Sequence, residues 1–170
     1  MEGLQVSAPF RLIAPVLVAL VSTACGDEGG KLEGSVTELL DLRYQRTEAQ
    51  LAEGTLAVSF VSTQGSGQDV VLKVSARVAD MLPDNEYAGS LDIDLAQALE
   101  DGSQRGSVDR SVLDEPVRPF PPLVRGNLFV KSLPKTTGDR VSGEFNVTFT
   151  NGTDVYSGRT IFSRFEATAP

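Results

Sequence analysis

VSGEFNVTFTNG, residues 141–152, carries the strongest structural signal in the chain. Apolar residues and Gly143 occupy every second position as far as Phe149, and polar residues lie between them, which is the period of a half-buried β-strand. The Asn151-Gly152 dipeptide that follows is typical of a two-residue type I′ turn, because both positions of that turn need positive φ. The stretch therefore predicts a β-hairpin that turns at Asn151-Gly152.

A two-residue turn also determines which residues face each other across the hairpin. In that register Glu144 lies opposite Arg159, which predicts a cross-strand ion pair. The other expected pairs are Val141 with Phe162, Val147 with Tyr156, and Phe145 with Gly158, whose bare backbone the ring would cover.

Other stretches of the chain alternate in the same way. Residues 55–62 and 70–78 predict a second hairpin, joined by a polar loop at 63–69 that contains Gly65-Ser66-Gly67. The side chains expected to face the core are Leu56, Val58, Phe60, Val70, Leu72, Val74, Ala76 and Val78. Further strands are expected at 91–95, where Leu91, Ile93 and Leu95 alternate with Asp92 and Asp94, and at 128–133.

Residues 35–54 fit two structures. As a helix, the segment would have Ser35 as N-cap, Glu38 completing a capping box and Gly54 as the stop. As strands, the alternating residues would be Leu40, Leu42, Tyr44, Ala49 and Leu51. The β character of the rest of the chain favours strands. Residues 84–101 are ambiguous in the same way, because 93–100 could form one or two helical turns.

The segment Arg118-Pro119-Phe120-Pro121-Pro122 predicts irregular or polyproline-like chain, because proline cannot donate to a sheet ladder. Phe120 is either an exposed anchor for a partner or a buried residue of a crossover, and the crossover is favoured. Together the patterns predict one all-β domain over 34–170, an antiparallel β-sandwich or small open barrel of roughly seven to nine strands.

The N-terminus has the features of an export signal. Residues 12–21 (LIAPVLVALV) form a short apolar run between Arg11 and the small residues at 22–24, which is the pattern of a secretory signal peptide. The run is too short to span a bilayer, which takes about 20 residues. Its end, Val21-Ser22-Thr23-Ala24-Cys25, resembles the lipobox of bacterial lipoprotein precursors, with serine where leucine is usual.

The resemblance to lipoproteins implies cleavage before Cys25 and attachment of a diacylglyceryl group to its thiol. Residues 1–24 would then be the signal peptide, and the glycine-rich, acidic 25–33 a flexible tether. The implied location is the bacterial cell envelope, where the lipid anchors the protein to a membrane and the domain faces the periplasm or the cell surface. Gly26, in place of an aspartate after the cysteine, favours the outer membrane.

Composition excludes several classes of function. The chain has no histidine and no tryptophan, and Cys25 is its only cysteine. These absences exclude His-based catalysis, an internal disulfide and a multi-cysteine zinc site. A net charge of −8 repels phosphate backbones, so a nucleic-acid partner is not expected. The apolar fraction of 41% and charged fraction of 22% are those of a folded domain.

Two weak candidate sites remain. Asp92 and Asp94, with Asp80, Asp84 and Glu86 nearby in the sequence, offer hard oxygen ligands for Ca²⁺, but their spacing favours a solvated strand face. Gly65-Ser66-Gly67 is too short for a phosphate loop and precedes a strand, which favours a hairpin connection. No catalytic, cofactor-binding or metal-binding residue is therefore predicted.

The sequence predicts a non-catalytic structural, adaptor or binding module on the envelope, with an envelope protein as a candidate partner. Two alternatives remain. One is a carrier whose barrel-like interior takes a small apolar ligand, which requires an internal cavity. The other is a hydrolase that uses carboxylates alone, which requires two of them to converge in a cleft.

Overall fold

The computed structural model describes residues 29–64, 67–82, 89–113 and 118–170. Their regular structure is almost entirely β, which confirms the predicted fold class. The strands are β1 (Gly30–Lys31), β2 (Arg43–Tyr44), β3 (Arg46–Ala52), β4 (Thr55–Gln64), β5 (Gly67–Arg77), β6 (Leu91–Asp94), β7 (Gly106–Ser111), β8 (Arg118–Pro119), β9 (Leu123–Val130), β10 (Arg140–Phe149) and β11 (Thr160–Thr168). Short 3-10 turns cover Ser35–Glu38 and Ala79–Met81.

Nine of these strands form one mixed sheet in the order β6-β9-β10-β11-β3-β4-β5-β7-β8, and β1 and β2 form a separate two-stranded ribbon. Every pairing is antiparallel except that of β11 with β3, which meet in parallel at Thr168 and Glu48. Such a sheet is compatible with the predicted sandwich or open barrel.

The sheet curls until its two ends meet at Leu95, just after β6. The Leu95 N–H donates to the Gly126 carbonyl of β9 at 2.9 Å, and the Leu95 carbonyl accepts from Gly106 N–H of β7 at 2.8 Å. A Cβ on Gly106 would lie 2.6 Å from the Leu95 Cβ, so only glycine permits this approach. Gln104 closes the same end, since its amide oxygen accepts from Leu123 N–H and its amide nitrogen donates to the Leu123 carbonyl.

Aromatic side chains fill much of the space inside the curled sheet. Phe60 is fully buried, and its ring centroid lies 5.0 Å from that of Tyr44, 5.5 Å from Phe145 and 6.1 Å from Phe165. Each such ring contributes about 1.5–3 kcal/mol by leaving water. The largest fully buried aliphatic side chains are those of Leu32, Leu42, Leu56, Leu72, Ile93, Leu95, Leu128 and Ile161.

The hairpin predicted from residues 55–62 and 70–78 is confirmed in β4 and β5. All of the expected core residues are buried except Val70, which is half-buried. A register shift between Phe60 and Val61 explains the exception, because it turns Val71 toward the core instead. The strands extend further than expected, to Gln64 and from Gly67, and the connection at 65–66 lies outside the described residues.

The hairpin predicted from residues 141–152 also forms, but its predicted turn and register are wrong. β10 and β11 are joined by a ten-residue loop, 150–159, and the residue with positive φ in it is Gly158, at 68°, rather than Gly152. The observed pairs are Glu144 with Arg164, Val141 with Ala167, Val147 with Ile161 and Phe145 with Ser163.

The side chains that each register would bury explain why the observed register forms instead of the predicted one. The observed pairing differs from the predicted one by five positions, and an odd shift moves every side chain of a strand to the other face. Ile161, Phe165 and Ala167 therefore face the core, whereas the predicted register would have placed Phe162 there. The longer loop also lets Tyr156 pack against Phe120, with ring centroids 4.8 Å apart.

The segment at 35–54 is strand, as favoured, after one short turn. β2 and β3 supply the strands, and only Ser35–Glu38 is helical, as a 3-10 turn. Gly34 rather than Ser35 is its N-cap, and the Ser35 hydroxyl accepts from Thr160 N–H at 3.0 Å. In the other ambiguous segment, β6 is followed by turns at 95–96 and 100–101 and by no helix, and 83–88 lie outside the described residues.

The proline-rich crossover is confirmed with Phe120 buried. Arg118–Pro119 pairs with β7 at the edge of the sheet, where a proline costs no ladder hydrogen bond. The Phe120 ring stacks on Phe149 with centroids 5.0 Å apart. The crossover then carries the chain from β8, at one edge of the sheet, to β9, next to the other edge. The strand expected at 128–133 is β9, which begins earlier, at Leu123, and ends at Val130.

Candidate binding face

The part of the domain that the structure describes begins at Gly29, four positions after Cys25, and this start is here named the chain entry. Cys25 itself, the predicted signal peptide 1–24 and the first part of the predicted tether lie outside the described residues. The last residues of that tether are part of the fold. Gly30 and Lys31 form β1, and Leu32 is fully buried.

Close packing against Tyr44 of β2 explains the two glycines at the point of entry. A Cβ on Gly29 would lie 2.4 Å from the Tyr44 carbonyl oxygen, and a Cβ on Gly30 would lie 2.6 Å from the Tyr44 hydroxyl. At Gly29 the obstacle is backbone, so no side chain fits, whereas glycine lets two segments of backbone approach. At Gly30 the obstacle is the end of the Tyr44 side chain, which would have to move to admit a Cβ. The packing of Gly29 and Gly30 against Tyr44 therefore holds the entering chain in place.

Backbone hydrogen bonds attach the entering chain to the sheet on both sides. Gly30 pairs with Tyr44 in β2. Beyond β1, Glu33 and Phe162 of β11 exchange two bonds, with the Glu33 N–H donating at 3.1 Å and the Phe162 N–H donating at 2.9 Å. These two hydrogen bonds place the entering chain directly beside β11.

The outward side chains of β1, β11, β10 and β9 form a continuous surface, here named the outer face. Residues that are directly opposed on neighbouring strands share one side of a sheet. One row across the outer face consists of Arg164, Glu144 and Phe129, and the next consists of Phe162, Asn146 and Asn127. Phe162 is 43% exposed, so the outer face presents an aromatic ring to solvent.

Two grooves cross the outer face and share Glu144 and Arg164. One, of about 500 Å³, includes Phe129 and Lys131 in its lining. The other, of about 660 Å³, is lined by Phe162 and by residues of the chain entry, Gly30, Lys31 and Glu33. Both grooves are open to solvent, unlike a ligand pocket that encloses its ligand. The residues around the chain entry therefore also line a solvent-accessible groove on this face.

Charges on the outer face and beside it are balanced in pairs. Arg164 donates from Nε to a Glu144 carboxylate oxygen at 3.2 Å. Arg43 binds both carboxylate oxygens of Asp41, and this hydrogen bonding lowers the pKa of Asp41 to about 2. The described residues around the chain entry are thus close to neutral together, on a chain whose net charge is −8.

Three of the five acidic residues considered as Ca²⁺ ligands, Asp80, Asp92 and Asp94, are among the described residues. Asp92 and Asp94 are exposed on β6, next to Phe129 and Asn127, and Asp94 accepts from Ala96 N–H at 2.9 Å. Asp80 instead binds Arg105, and Asp84 and Glu86 lie outside the described residues. Within the part of the chain that the structure describes, no group of three or more acidic or cysteine side chains is placed to hold a metal.

Two arginines, neither of them predicted, are buried. Arg105 is 4% exposed and binds Asp80 through two hydrogen bonds of 2.6 and 2.7 Å, and it also binds Gln97 and the Arg77 carbonyl. Arg110 of β7 donates to the Val71 carbonyl at 3.0 Å. Both anchor neighbouring segments. Arg110 could have been found in the sequence, because it follows Gly106 and Val108 on the inward phase of its strand.

No protein-family model, no curated protein and no solved structure matches this chain. Across residues 29–64, 67–82, 89–113 and 118–170, the structure has no helix with the length and apolar character that a membrane crossing requires.

Proposed function

We propose that this protein is a lipid-anchored lipoprotein of the bacterial cell envelope whose β domain is a non-catalytic binding module. The lipid on Cys25 holds the domain at a membrane surface, facing the periplasm or the cell exterior. Gly26 favours the outer membrane among the envelope locations.

The position of the only cysteine carries the proposal. Cys25 follows Ala24 at the end of an apolar run that is too short to span a bilayer. Formation of the thioether to diacylglycerol needs a thiolate, which neither serine nor alanine supplies. Each acyl methylene that enters the membrane contributes about 0.8 kcal/mol, so two or three chains anchor a domain firmly.

The packing of the domain favours a surface-binding module over a carrier. The fully buried rings of Phe60, Phe145 and Phe149 occupy the interior of the curled sheet, where a carried ligand would have to lie. The outer face, by contrast, offers grooves of about 500 and 660 Å³. An envelope protein that binds there would meet a tethered domain at a raised effective concentration.

The distribution of carboxylates favours a non-catalytic role over a hydrolase. Among the described residues, Asp69 is the one buried carboxylate, and it accepts from Leu113 N–H at 2.8 Å. Glycosidase chemistry with carboxylates alone needs two of them facing one bond. Asp69 has no such partner among the described carboxylates, since the others are not buried.

Intact mass spectrometry of the membrane fraction tests the anchor. The chain would be expressed from Met1 in a bacterium that processes lipoproteins, beside Cys25→Ala and beside Ser22→Leu, which restores the usual lipobox residue. We expect the wild type and Ser22→Leu to begin at Cys25 and to carry diacylglyceryl mass. Cys25→Ala should carry none. A wild-type product that is soluble and unlipidated would overturn the proposal.

A further inference from the structure

We infer that the domain docks on the bilayer itself through the surface around its chain entry, with Phe162, Lys31 and Arg164 against the lipid headgroups. This inference rests on the proposed lipidation of Cys25. It goes further, because an anchored domain does not have to touch the membrane or to meet it with a defined side.

The length of chain between the lipid and the fold limits how the domain can be placed. Three residues, 26–28, separate Cys25 from Gly29. In any conformation the four steps from Cys25 to Gly29 span at most about 14 Å, at 3.3–3.6 Å per residue. A domain of this size has a radius of gyration of roughly 14 Å. The tether is thus too short to let the far side of the domain reach the bilayer.

The backbone at the chain entry is held by contacts with the rest of the fold, so the tether begins at a fixed point. The Gly29 backbone packs on the Tyr44 backbone with no room for a Cβ, and Gly30 packs on the Tyr44 side chain. Glu33 exchanges two backbone hydrogen bonds with Phe162 of β11. Because the entry point lies beside β11, the outward side chains of β11 are among those nearest to the lipid.

The side chains at this position suit a headgroup layer. Phe162 is 43% exposed and lies directly opposite Glu33, and the side chain of Arg164 is 90% exposed. Phe162, Arg164 and Lys31 line the same groove. An aromatic ring with long cationic side chains beside it matches the boundary between acyl chains and headgroups, where the cations reach outward to phosphate.

The charge balance around the entry permits this contact. Among the described residues, Lys31, Arg43 and Arg164 are accompanied there by Glu33, Asp41 and Glu144, so this part of the surface is neutral on a chain of net charge −8. The tether adds the two negative charges of Asp27 and Glu28. An anionic bilayer would repel the described patch less than a surface with the average charge of this protein.

Fluorescence gives a direct test, because the chain contains no tryptophan. Phe162→Trp places a single reporter in the proposed contact, and Lys31→Trp places a second one on β1. Ser107→Trp is the control. Ser107 is exposed on β7, and β3, β4 and β5 lie between β7 and β11 in the sheet.

Each lipidated variant would be purified from membranes and reconstituted into phosphatidylethanolamine–phosphatidylglycerol vesicles that contain a phospholipid brominated near the top of its acyl chains. We expect the bromines to quench the Phe162→Trp emission about twofold and to leave Ser107→Trp unchanged, as for a ring held at the membrane boundary. Equal quenching of the two variants would overturn the docking. So would the absence of quenching at both Phe162→Trp and Lys31→Trp, and the outer face would then remain available to a protein partner.

Two readings on the same samples separate this inference from the anchor. Intact mass reports the diacylglyceryl group, and flotation with the vesicles reports membrane attachment. A sample that is lipidated and floats without quenching at either reporter contradicts only the docking. A sample that carries no lipid contradicts the proposed function, and with it the basis for docking.

Discussion

Glu144 of β10 lies directly opposite Arg164 of β11, and the Arg164 Nε is 3.2 Å from a Glu144 carboxylate oxygen. The sequence predicts a cross-strand ion pair for Glu144, but with Arg159 as the partner. Arg159 instead donates from Nη1 to the Ser35 carbonyl at 2.7 Å and to Glu38 at 3.0 Å. The chemistry of the pair is as predicted, and the arginine that supplies it lies five positions later.

The first prediction concerns this pairing. A double-mutant cycle with Glu144→Gln and Arg164→Gln should give a coupling free energy of about 0.2–1 kcal/mol, because both side chains are exposed and screened by water. The matched cycle with Glu144→Gln and Arg159→Gln should give none, since those residues do not meet. Urea unfolding of the four variants in each cycle measures both values. Coupling to Arg159 alone would mean that the register in the structure is wrong.

The second prediction distinguishes the observed loop from a two-residue turn. Gly158→Ala should destabilise the protein by roughly 1–2 kcal/mol, because Gly158 has a φ of 68° and its Cβ would lie 2.8 Å from the Asn151 side chain. Gly152→Ala should change stability by less than about 0.5 kcal/mol, since a Cβ there meets only the Ser157 hydroxyl, at 3.3 Å.

Thermal unfolding of the two glycine variants side by side gives the answer. A turn at Asn151-Gly152 would reverse the order of their stabilities, because position 152 would then need positive φ.

The two hairpins differ in how much of their structure the sequence predicts. In β4 and β5 the alternating runs bury Leu56, Val58 and Phe60 on one face and leave a single consistent pairing. In β10 and β11, Asn151-Gly152 is a strong local turn signal that conflicts with the burial of Ile161 and Phe165. Tertiary packing decides that conflict, and a local pattern carries no information about it.

The outer face could not be predicted from the sequence for a similar reason. Phe162 and Arg164 belong to the outer face only because of the β11 register, which the sequence does not reveal. The position of Gly29-Gly30 against Tyr44 depends on the pairing of β1 with β2, two-residue strands that are too short to show an alternating pattern. Cys25, by contrast, is recognised from contiguous sequence alone and is still a prediction.

The third prediction concerns the buried guanidinium of Arg105. Arg105→Met keeps much of the apolar stem but loses the hydrogen bonds to Asp80, Gln97 and the Arg77 carbonyl, so it should cost on the order of 2–4 kcal/mol. Arg164→Met, at a 90% exposed side chain, should cost less than about 0.5 kcal/mol. Urea unfolding compares the two. Equal effects would contradict a structural role for Arg105.

The fourth prediction concerns the crossover at the closed end of the sheet. Gln104→Ala removes two side-chain hydrogen bonds of 2.7 and 2.8 Å, one to the Leu123 carbonyl and one from its N–H. The cost should be about 1–3 kcal/mol, because these backbone groups lose their partner. Amide exchange at Leu123 should accelerate, while exchange in β4 should change only through global stability. Unchanged protection at Leu123 would show that Gln104 does not hold the crossover.

The last prediction is the dependence of stability on pH, which four aspartates should dominate. Arg43 lowers the pKa of Asp41 to about 2, and Arg105 lowers the pKa of Asp80. Ser103 and, to a smaller extent, Arg77 lower the pKa of Asp101, and the backbone N–H groups of Thr136 and Lys135 lower that of Asp139. Each carboxylate is therefore better stabilised in the folded state than in the unfolded state.

A carboxyl whose pKa falls on folding contributes stability above its unfolded pKa and loses it as pH falls through the folded value. The unfolding midpoint in urea should therefore be flat from about pH 8 to pH 5, where the absence of histidine removes the usual titrating group. It should then fall steadily from about pH 4 to pH 2. Asp41→Asn should reduce the total loss of unfolding free energy over that interval by less than about 1 kcal/mol, because the carboxylate is more than half exposed. A stability maximum at or below pH 3 would contradict the aspartate contacts that the structure contains.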